Sequence, residues 1–450
     1  MDWGQHRDSE PRRKTSTGDD RAGVYRRPLA IVTILFFMWG FVTCLNDILV
    51  PHLKSIFDLT YARVMLIQFS FFSAYFLFSI PAAKIVDWIG YQGAMVAGLL
   101  TMSAGALLFV PAASLASYHL FLAALIVMAA GITALQVSAN PYVIVLGSPQ
   151  TASSRLNLTQ AFNSLGTTIA PAVGSLFILS TAPLAVEQIK RLSPLALQAY
   201  RSQQDASVKT PYIVIGLLLV LFAGVIGKSK LPNIASAQHA LGERLNDSLW
   251  QHRNLILGAV AIFTYVGAEV AIGSFLVNYL SQPGIAGLTT KIAARYVSLY
   301  WGGAMIGRFI GSAVLRRVRT QYLLAFCAAC TTTLLVTSIL TFGYLAMWSI
   351  LAIGLFNSVM FPSIFTLGLA ELGPLAGDGS GFLNMAIVGG AVIPLVQGFI
   401  ADRIGIHHAF LLPVVCYLYI FYYALAGSLP NSERILSTAT HEPQTSSKQW

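Results

Sequence analysis

Twelve apolar runs, each about as long as a membrane-spanning helix, constrain this chain more than any other feature. They stand at about 28–50, 63–86, 93–112, 118–146, 155–180, 211–228, 254–280, 292–314, 321–342, 344–369, 377–400 and 409–427. A helix needs about 20 mostly apolar residues to cross the hydrocarbon core. Backbone groups in lipid must be satisfied internally, which restricts spanning structures to helices and closed barrels. Runs this long fit helices, so the sequence predicts an all-α integral membrane protein with twelve transmembrane helices. Composition agrees: 56% of the 450 residues are apolar and 10% charged, with a mean hydropathy of +0.67, far outside the range of soluble domains. The first run does not read as a signal peptide, because it is too long, its polar leader exceeds about twenty residues and no small-residue cleavage pattern follows.

A net charge of +10 could suggest nucleic acid, but the placement of the charge argues against it. The N-terminal tail, the even-numbered loops and the C-terminal tail together hold roughly twice as many Lys and Arg as the odd-numbered loops, and positive residues gather on the cytoplasmic side. Both termini are therefore expected in the cytoplasm, in a multi-pass protein of the plasma membrane, the inner membrane of a bacterium. The basic tail residues Arg12, Arg13, Lys14, Arg21, Arg26 and Arg27 suit a solvated retention signal, with contact to anionic lipid as the alternative. Cys44, Cys327, Cys330 and Cys416 are scattered, and the Cys327/Cys330 pair has no second pair or His beside it. They are expected to be small buried hydrophobes and not metal ligands or disulfides.

The polar segment Ser229–Arg253 divides six runs from six. The expected organisation is a cytoplasmic tail over 1–27, a six-helix bundle over 28–228, a cytoplasmic central loop over 229–253, a second six-helix bundle over 254–427 and a cytoplasmic tail over 428–450. The loop at about 181–210 contains a stretch, 186–200, whose pattern fits a short external amphipathic helix.

Within the apolar runs a few polar residues stand out. Asp47, beside Asn46, lies in the run Ile31–Val50. An unpaired carboxylate at that depth costs roughly 3 kcal/mol even on the lenient insertion scale, so it is expected to face a polar cavity. Gln136 and Asn140 are spaced i,i+4, and Gln160 and Asn163 i,i+3, which puts each pair on one helix face. Amides both donate and accept, which suits sugar hydroxyls, although they also serve as glue between membrane helices. The second half carries Glu269, Asn278, Asn357, Asn384 and Gln397. Asn140-Pro141 and Phe361-Pro362 are helix breaks that can free backbone groups to line a cavity, or can simply kink packed helices. Trp39, Tyr265, Tyr300, Trp301 and Phe361 are candidate aromatic platforms for a pyranose ring.

The 6+6 organisation resembles the major facilitator fold, and the motifs narrow the resemblance. Asn46-Asp47-Ile-Leu, Ser138-Ala-Asn-Pro-Tyr-Val143 with Leu146-Gly147, Arg155-Leu-Asn-Leu-Thr-Gln-Ala-Phe-Asn-Ser164 and Leu192-Ser-Pro are similar to the fucose permease/glucose–galactose transporter family. Tyr265-Val-Gly-Ala-Glu269 and Ile272-Gly-Ser-Phe-Leu-Val-Asn-Tyr279 are closer to its glucose–galactose branch. The resemblance spans about residues 28–427. It implies a monomer that imports a neutral monosaccharide by alternating access, with H⁺ or Na⁺ as the coupling cation and no cofactor besides. By this resemblance Asp47 takes the place of the family's helix-1 acid, whereas its helix-4 Glu falls on Gln136, which cannot carry a proton. Glu269, at the equivalent depth of the second half, is the candidate to make up the loss. Asn46, Gln136, Asn140, Gln160, Asn163, Tyr265, Asn278, Asn357, Phe361 and Asn384 are the candidate sugar contacts.

Major facilitators also carry Gly-x-x-x-Asp-Arg-x-Gly between helices 2 and 3. Here that stretch keeps Asp87 and Gly90 but has Ala83 for the first Gly and Trp88 for the Arg, so the latch it forms is only partly expected; a cleaner copy, Gly398 to Gly405, falls on the predicted outer side. No phosphate-binding Gly-x-x-x-x-Gly-Lys-[Ser/Thr] loop is present. The dispersed His residues speak against a membrane enzyme. A non-transporting sugar sensor is the remaining alternative.

Overall fold

The computed structural model describes residues 18–57, 61–115, 117–177, 193–232 and 248–429. The side chains of 18–24, 45–57, 61–68, 172–177, 194, 197–208 and 290–291 lie outside that description, those of Asn46 and Asp47 among them. Every regular element among the described residues is helical: α1 (Gly18–Phe57), α2 (Tyr61–Ser114), α3 (Tyr118–Val145), α4 (Ala152–Phe177), α5 (Pro194–Lys228), α6 (Arg253–Leu280), α7 (Thr290–Val314), α8 (Thr320–Leu340), α9 (Gly343–Asn357), α10 (Met360–Gly368), α11 (Ala376–Met385), α12 (Gly389–Ile404), α13 (Ile406–Ala409) and α14 (Leu411–Tyr422).

Nine stretches among the described residues are long and apolar enough to cross a membrane. One of them, Phe69–Ser114, contains two of the expected spans. These run into each other at Gly90, whose φ of 73° and ψ of 171° turn the chain between the arms of α2; only Gly takes that conformation without strain. The remaining two expected spans are α4 and α7. They fall short in apolarity because they carry Asn157, Gln160, Asn163 and Arg308, and they pack against each other. The twelve expected spans are thus all present as helices, in two bundles: α1–α5 and α6–α14.

Two of the expected spans differ from the structure, the tenth and the eleventh. The sixth span stands as expected at Lys209–Lys228, but its helix is longer than the span: α5 runs unbroken from Pro194 through Pro211 to Lys228, started by Ser193, whose hydroxyl accepts from the Ala196 N–H. Residues 178–192, which include the first part of the expected external helix, lie outside the description. The tenth span is two helices, α9 and α10, parted at Ser358–Val359, and the eleventh is α11 and α12, parted by a 3₁₀ turn at Ala386–Val388.

The bundles meet at the end of the molecule where α2 turns through Gly90. There Lys84 Nζ reaches Asp378 of α11 at 2.9 Å and Asp87 at 3.4 Å. The Ser380 hydroxyl donates to the Val137 carbonyl of α3 at 2.8 Å. Gly381 fits against Ala83 and the Ser79 backbone, with space for no side chain. Beside this seam, Ser154 of α4 and Ser312 of α7 each donate to the other's carbonyl, at 2.7 and 3.1 Å. Thr320 Oγ1 donates to Ser153 Oγ at 2.8 Å. The partial motif therefore does make a cross-bundle contact, with Lys84 supplying the cation while Trp88, in the motif's Arg position, is exposed. The cleaner copy has no such role, since Asp402 and Arg403 are exposed at the opposite end of α12.

Candidate functional site

Among the predicted residues, four from the second bundle converge: Tyr265, Glu269, Asn357 and Tyr300. The Tyr265 hydroxyl points at both Glu269 Oε1 (2.8 Å) and the Asn357 carbonyl (3.0 Å). Asn357 Nδ2 donates to the Tyr300 hydroxyl at 2.9 Å. The i,i+4 spacing on α6 brings Tyr265 beneath Glu269, and the break after α9 leaves the Asn357 carbonyl available. Tyr265, Tyr300 and Asn357 are buried, and Glu269 is half-buried.

Arg308 of α7 completes this group. Its guanidinium donates across the bundles to Ser164 Oγ of α4 and, through Nε, to the Ser358 carbonyl at 3.3 Å. It interacts electrostatically with Glu269, although the only ion pairs among the described residues are those of Lys84. Asn157 Nδ2 donates to the Arg308 carbonyl at 2.6 Å, which ties α4 to α7 about two turns along α4 from Ser164. Sequence reading missed Arg308. The signal was available: of the two arginines in the run 292–314, Arg295 lies near its end and Arg308 deep within it, where a charge is as costly as Asp47.

In the first bundle, Gln136 Nε2 donates to the Tyr75 hydroxyl at 2.8 Å. Gln160 Nε2 faces Asn140 Oδ1 at 3.5 Å, and Asn140 Nδ2, buried, has no hydrogen-bond partner among the described residues. Asn163 Nδ2 donates to the Phe36 carbonyl at 2.9 Å, next to Gly40. Gln160 and Asn163 therefore turn to different helices, and Asn163 is tied to α1. Trp39 packs on Phe36 with ring centroids 5.4 Å apart. Asn46 and Asp47, in α1, lie outside the described side chains.

Four further candidates make no hydrogen bond to the Glu269 group among the described residues. Asn278 is exposed; nine residues beyond Glu269, it is turned about 180° around α6 at 100° per residue, so the structure separates it from the cluster. Asn384 is buried and donates to the Ser380 carbonyl of its own helix at 2.8 Å, with Oδ1 unpartnered. Phe361 is half-buried and stacks on Phe365 at 5.7 Å. Trp301 is exposed and meets Tyr300 edge-on at 5.2 Å.

The arrangement can hold a proton on a carboxylate whose neighbours are a phenol and a guanidinium, and it offers amides with spare hydrogen-bonding capacity across the way. Buried polar atoms without partners are costly in a native structure and commonly serve a ligand or ordered water.

Residues 31–393 match the family model described as the Major Facilitator Superfamily. A glucose/galactose transporter of Brucella abortus biovar 1 (strain 9-941) is 52% identical over 404 residues, covering 90% of this chain and 95% of the relative. The L-fucose-proton symporter of Escherichia coli (strain K12) is 36% identical over 407 residues, covering 89% of this chain and 93% of the relative. A crystal structure of the major facilitator transporter FucP in the outward conformation superposes with a TM-score of 0.80 at 35% identity, covering 89% of this chain and 98% of that one. These relatives are transporters, and so is this protein, which is not an enzyme. The chain belongs to the fucose permease/glucose–galactose transporter family of the major facilitator superfamily.

Proposed function

We propose that this protein imports a neutral hexose, glucose or galactose in preference to a deoxyhexose such as fucose, together with a proton across the bacterial inner membrane by alternating access. The observation that carries the reading is Glu269, bonded by the Tyr265 hydroxyl inside the membrane-spanning region and close enough to Arg308 to feel its charge without forming an ion pair. A proton neutralises this carboxylate without needing a coordination shell. A sodium ion would have to sit among oxygen ligands beside a guanidinium that repels it, which makes proton coupling the better fit and Na⁺ coupling the second reading. The names of the relatives support sugar as cargo, and those that are 52% and 42% identical are named for glucose and galactose. Gln136 in place of the family's Glu supports the same preference, since its Nε2 gives Tyr75 a hydrogen bond that a carboxylate cannot donate. Asn140, Gln160 and Asn163 are assigned to sugar hydroxyls, and Asp47 to the cation path with Glu269.

The cycle follows from the seams. The Gly90 end is held shut by Lys84–Asp378, Ser380–Val137 and the Ser154/Ser312 pair. In this reading that end is cytoplasmic and the molecule is outward-facing. Sugar and proton enter from outside, neutralise the interior charge and allow the seams to part, and the protein does this as a monomer.

Uptake of radiolabelled glucose and galactose into proteoliposomes, with pH and Na⁺ gradients imposed separately, tests the reading. Accumulation driven by the pH gradient alone is expected. Accumulation that follows the Na⁺ gradient alone replaces the proton with sodium, and saturable binding without accumulation under either gradient makes the protein a sensor. Orientation has its own test. Single cysteines at Gln203 and Gln238, in a background lacking the native four, should differ towards an impermeant thiol reagent in intact cells. Gln203 is expected to label and Gln238 to be protected; the reverse inverts the topology.

A further inference from the structure

Two prolines stand at the same place in the logic of the two bundles. In an α-helix the N–H of residue i bonds to the carbonyl of residue i−4, and proline both lacks that N–H and pushes the carbonyl aside. Pro141 therefore frees the Val137 carbonyl, and Pro362 frees the Ser358 carbonyl. Both freed carbonyls are taken by donors from other helices. Val137 accepts from the Ser380 hydroxyl of α11 at 2.8 Å, and Ser358 accepts from Arg308 Nε of α7 at 3.3 Å. The first bond joins the two bundles directly. The second fixes the guanidinium whose other nitrogen reaches Ser164 in the opposite bundle.

We propose that Pro141 and Pro362 are positioning residues that keep one carbonyl each open for a donor on another helix: Val137 for Ser380 across the bundle interface, and Ser358 for the Arg308 guanidinium, whose other nitrogen crosses the interface to Ser164. The chemistry is a competition for one acceptor. With any other residue at 141 or 362, the helix's own N–H, adjacent and permanently aimed along the axis, engages the carbonyl and draws it back to the helix direction. The Ser380 hydroxyl and Arg308 Nε then meet an acceptor that is already engaged and turned away. Proline removes the competitor, and the cross-helix bond becomes the carbonyl's main partner. Such a bond can form and break with the approach and separation of the bundles at little change in the helices themselves. Kinking alone would not pair both freed carbonyls with donors on other helices.

The inference rests on the alternating-access reading only for its consequence in transport, so its test uses no sugar and no ion gradient. Spin labels on cysteines replacing the exposed Gln150 and Arg317, in a background without the four native cysteines, report the separation of the bundles at the Gly90 end by pulsed electron resonance. Pro141→Ala is expected to move the population about fivefold towards the wider distance, the amount one ordinary hydrogen bond supplies. Ser380→Ala should do the same. The double variant should do no more than either alone, because both remove one bond. Pro362→Ala and Arg308→Lys form the second pair and should be non-additive in the same way. A distance distribution left unchanged by Pro141→Ala and Pro362→Ala, or effects of Pro141→Ala and Ser380→Ala that simply add, would overturn the proposal and make the prolines plain kinks. Failure of the transport reading leaves these distances untouched, so the two are judged separately.

Discussion

Glu269→Gln is expected to abolish accumulation while sparing exchange. For one proton per sugar, a gradient of 1 pH unit supports about tenfold accumulation, since each unit is worth about 1.4 kcal/mol. The amide cannot load and release the proton, so the variant should equilibrate sugar and stop at a ratio of about 1, whereas exchange between equal pools needs no net proton movement. Gln still accepts from Tyr265, so the 2.8 Å bond and the local fold should survive. Adding Gln136→Glu should restore part of the accumulation. Tyr75, which accepts from Gln136 Nε2 at 2.8 Å, can turn its hydroxyl to donate to the new carboxylate, and the returned acid carries its own desolvation cost. Accumulation in Glu269→Gln with wild-type pH dependence would leave Asp47 as the sole coupling acid.

Arg308→Ala is expected to damage both stability and transport. Removing the guanidinium leaves the Ser164 hydroxyl and the Ser358 carbonyl without their donor, at about 1–3 kcal/mol for each buried group left unpaired. Glu269 also loses a nearby positive charge, and α4 and α7 lose the Ser164 link. Uptake should fall at least about 100-fold, equivalent to roughly 2.7 kcal/mol, with a lower melting temperature in detergent. Arg308→Lys keeps the charge but cannot serve Ser164 and Ser358 together, so it should be intermediate. The diagnostic is the double variant: Glu269→Gln should recover part of the stability lost in Arg308→Ala, since the charge left without its nearby cation is gone. Simple additivity of the two effects would show that Arg308 and Glu269 do not act as a pair.

The twelve spans were legible because apolar length is a strong signal and lipid leaves the backbone few choices. What hydropathy could not show was where helices stop being continuous. The tenth span parts at Ser358–Val359 and the eleventh at Ala386–Val388, although each reads as one run long enough to cross the membrane. Pro362 marked the first break, but the partner that uses it, Arg308, lies 50 residues away in sequence. Glu269, Tyr265 and Asn357 were legible as polar residues in apolar helices. Asn278 was chosen by the same rule, yet helix arithmetic alone puts it on the far side of α6. The motif's loss of its Arg to Trp88 was legible, but that Lys84 supplies the cation, to Asp378 294 residues away, is visible only once the helices are placed. Gln136 and Asn140 share a face as expected, but one binds Tyr75 and the other meets Gln160, a distinction no periodicity contains.

The most direct measurement is the pH of the medium around de-energised proteoliposomes when sugar is added. With no gradient imposed and with counter-ion movement permitted, galactose or glucose flowing inward should carry protons with it and make the external medium more alkaline. The signal should vanish in Glu269→Gln although the labelled sugar still enters. Sugar entry by the wild-type protein with no change in external pH would contradict proton coupling through this site.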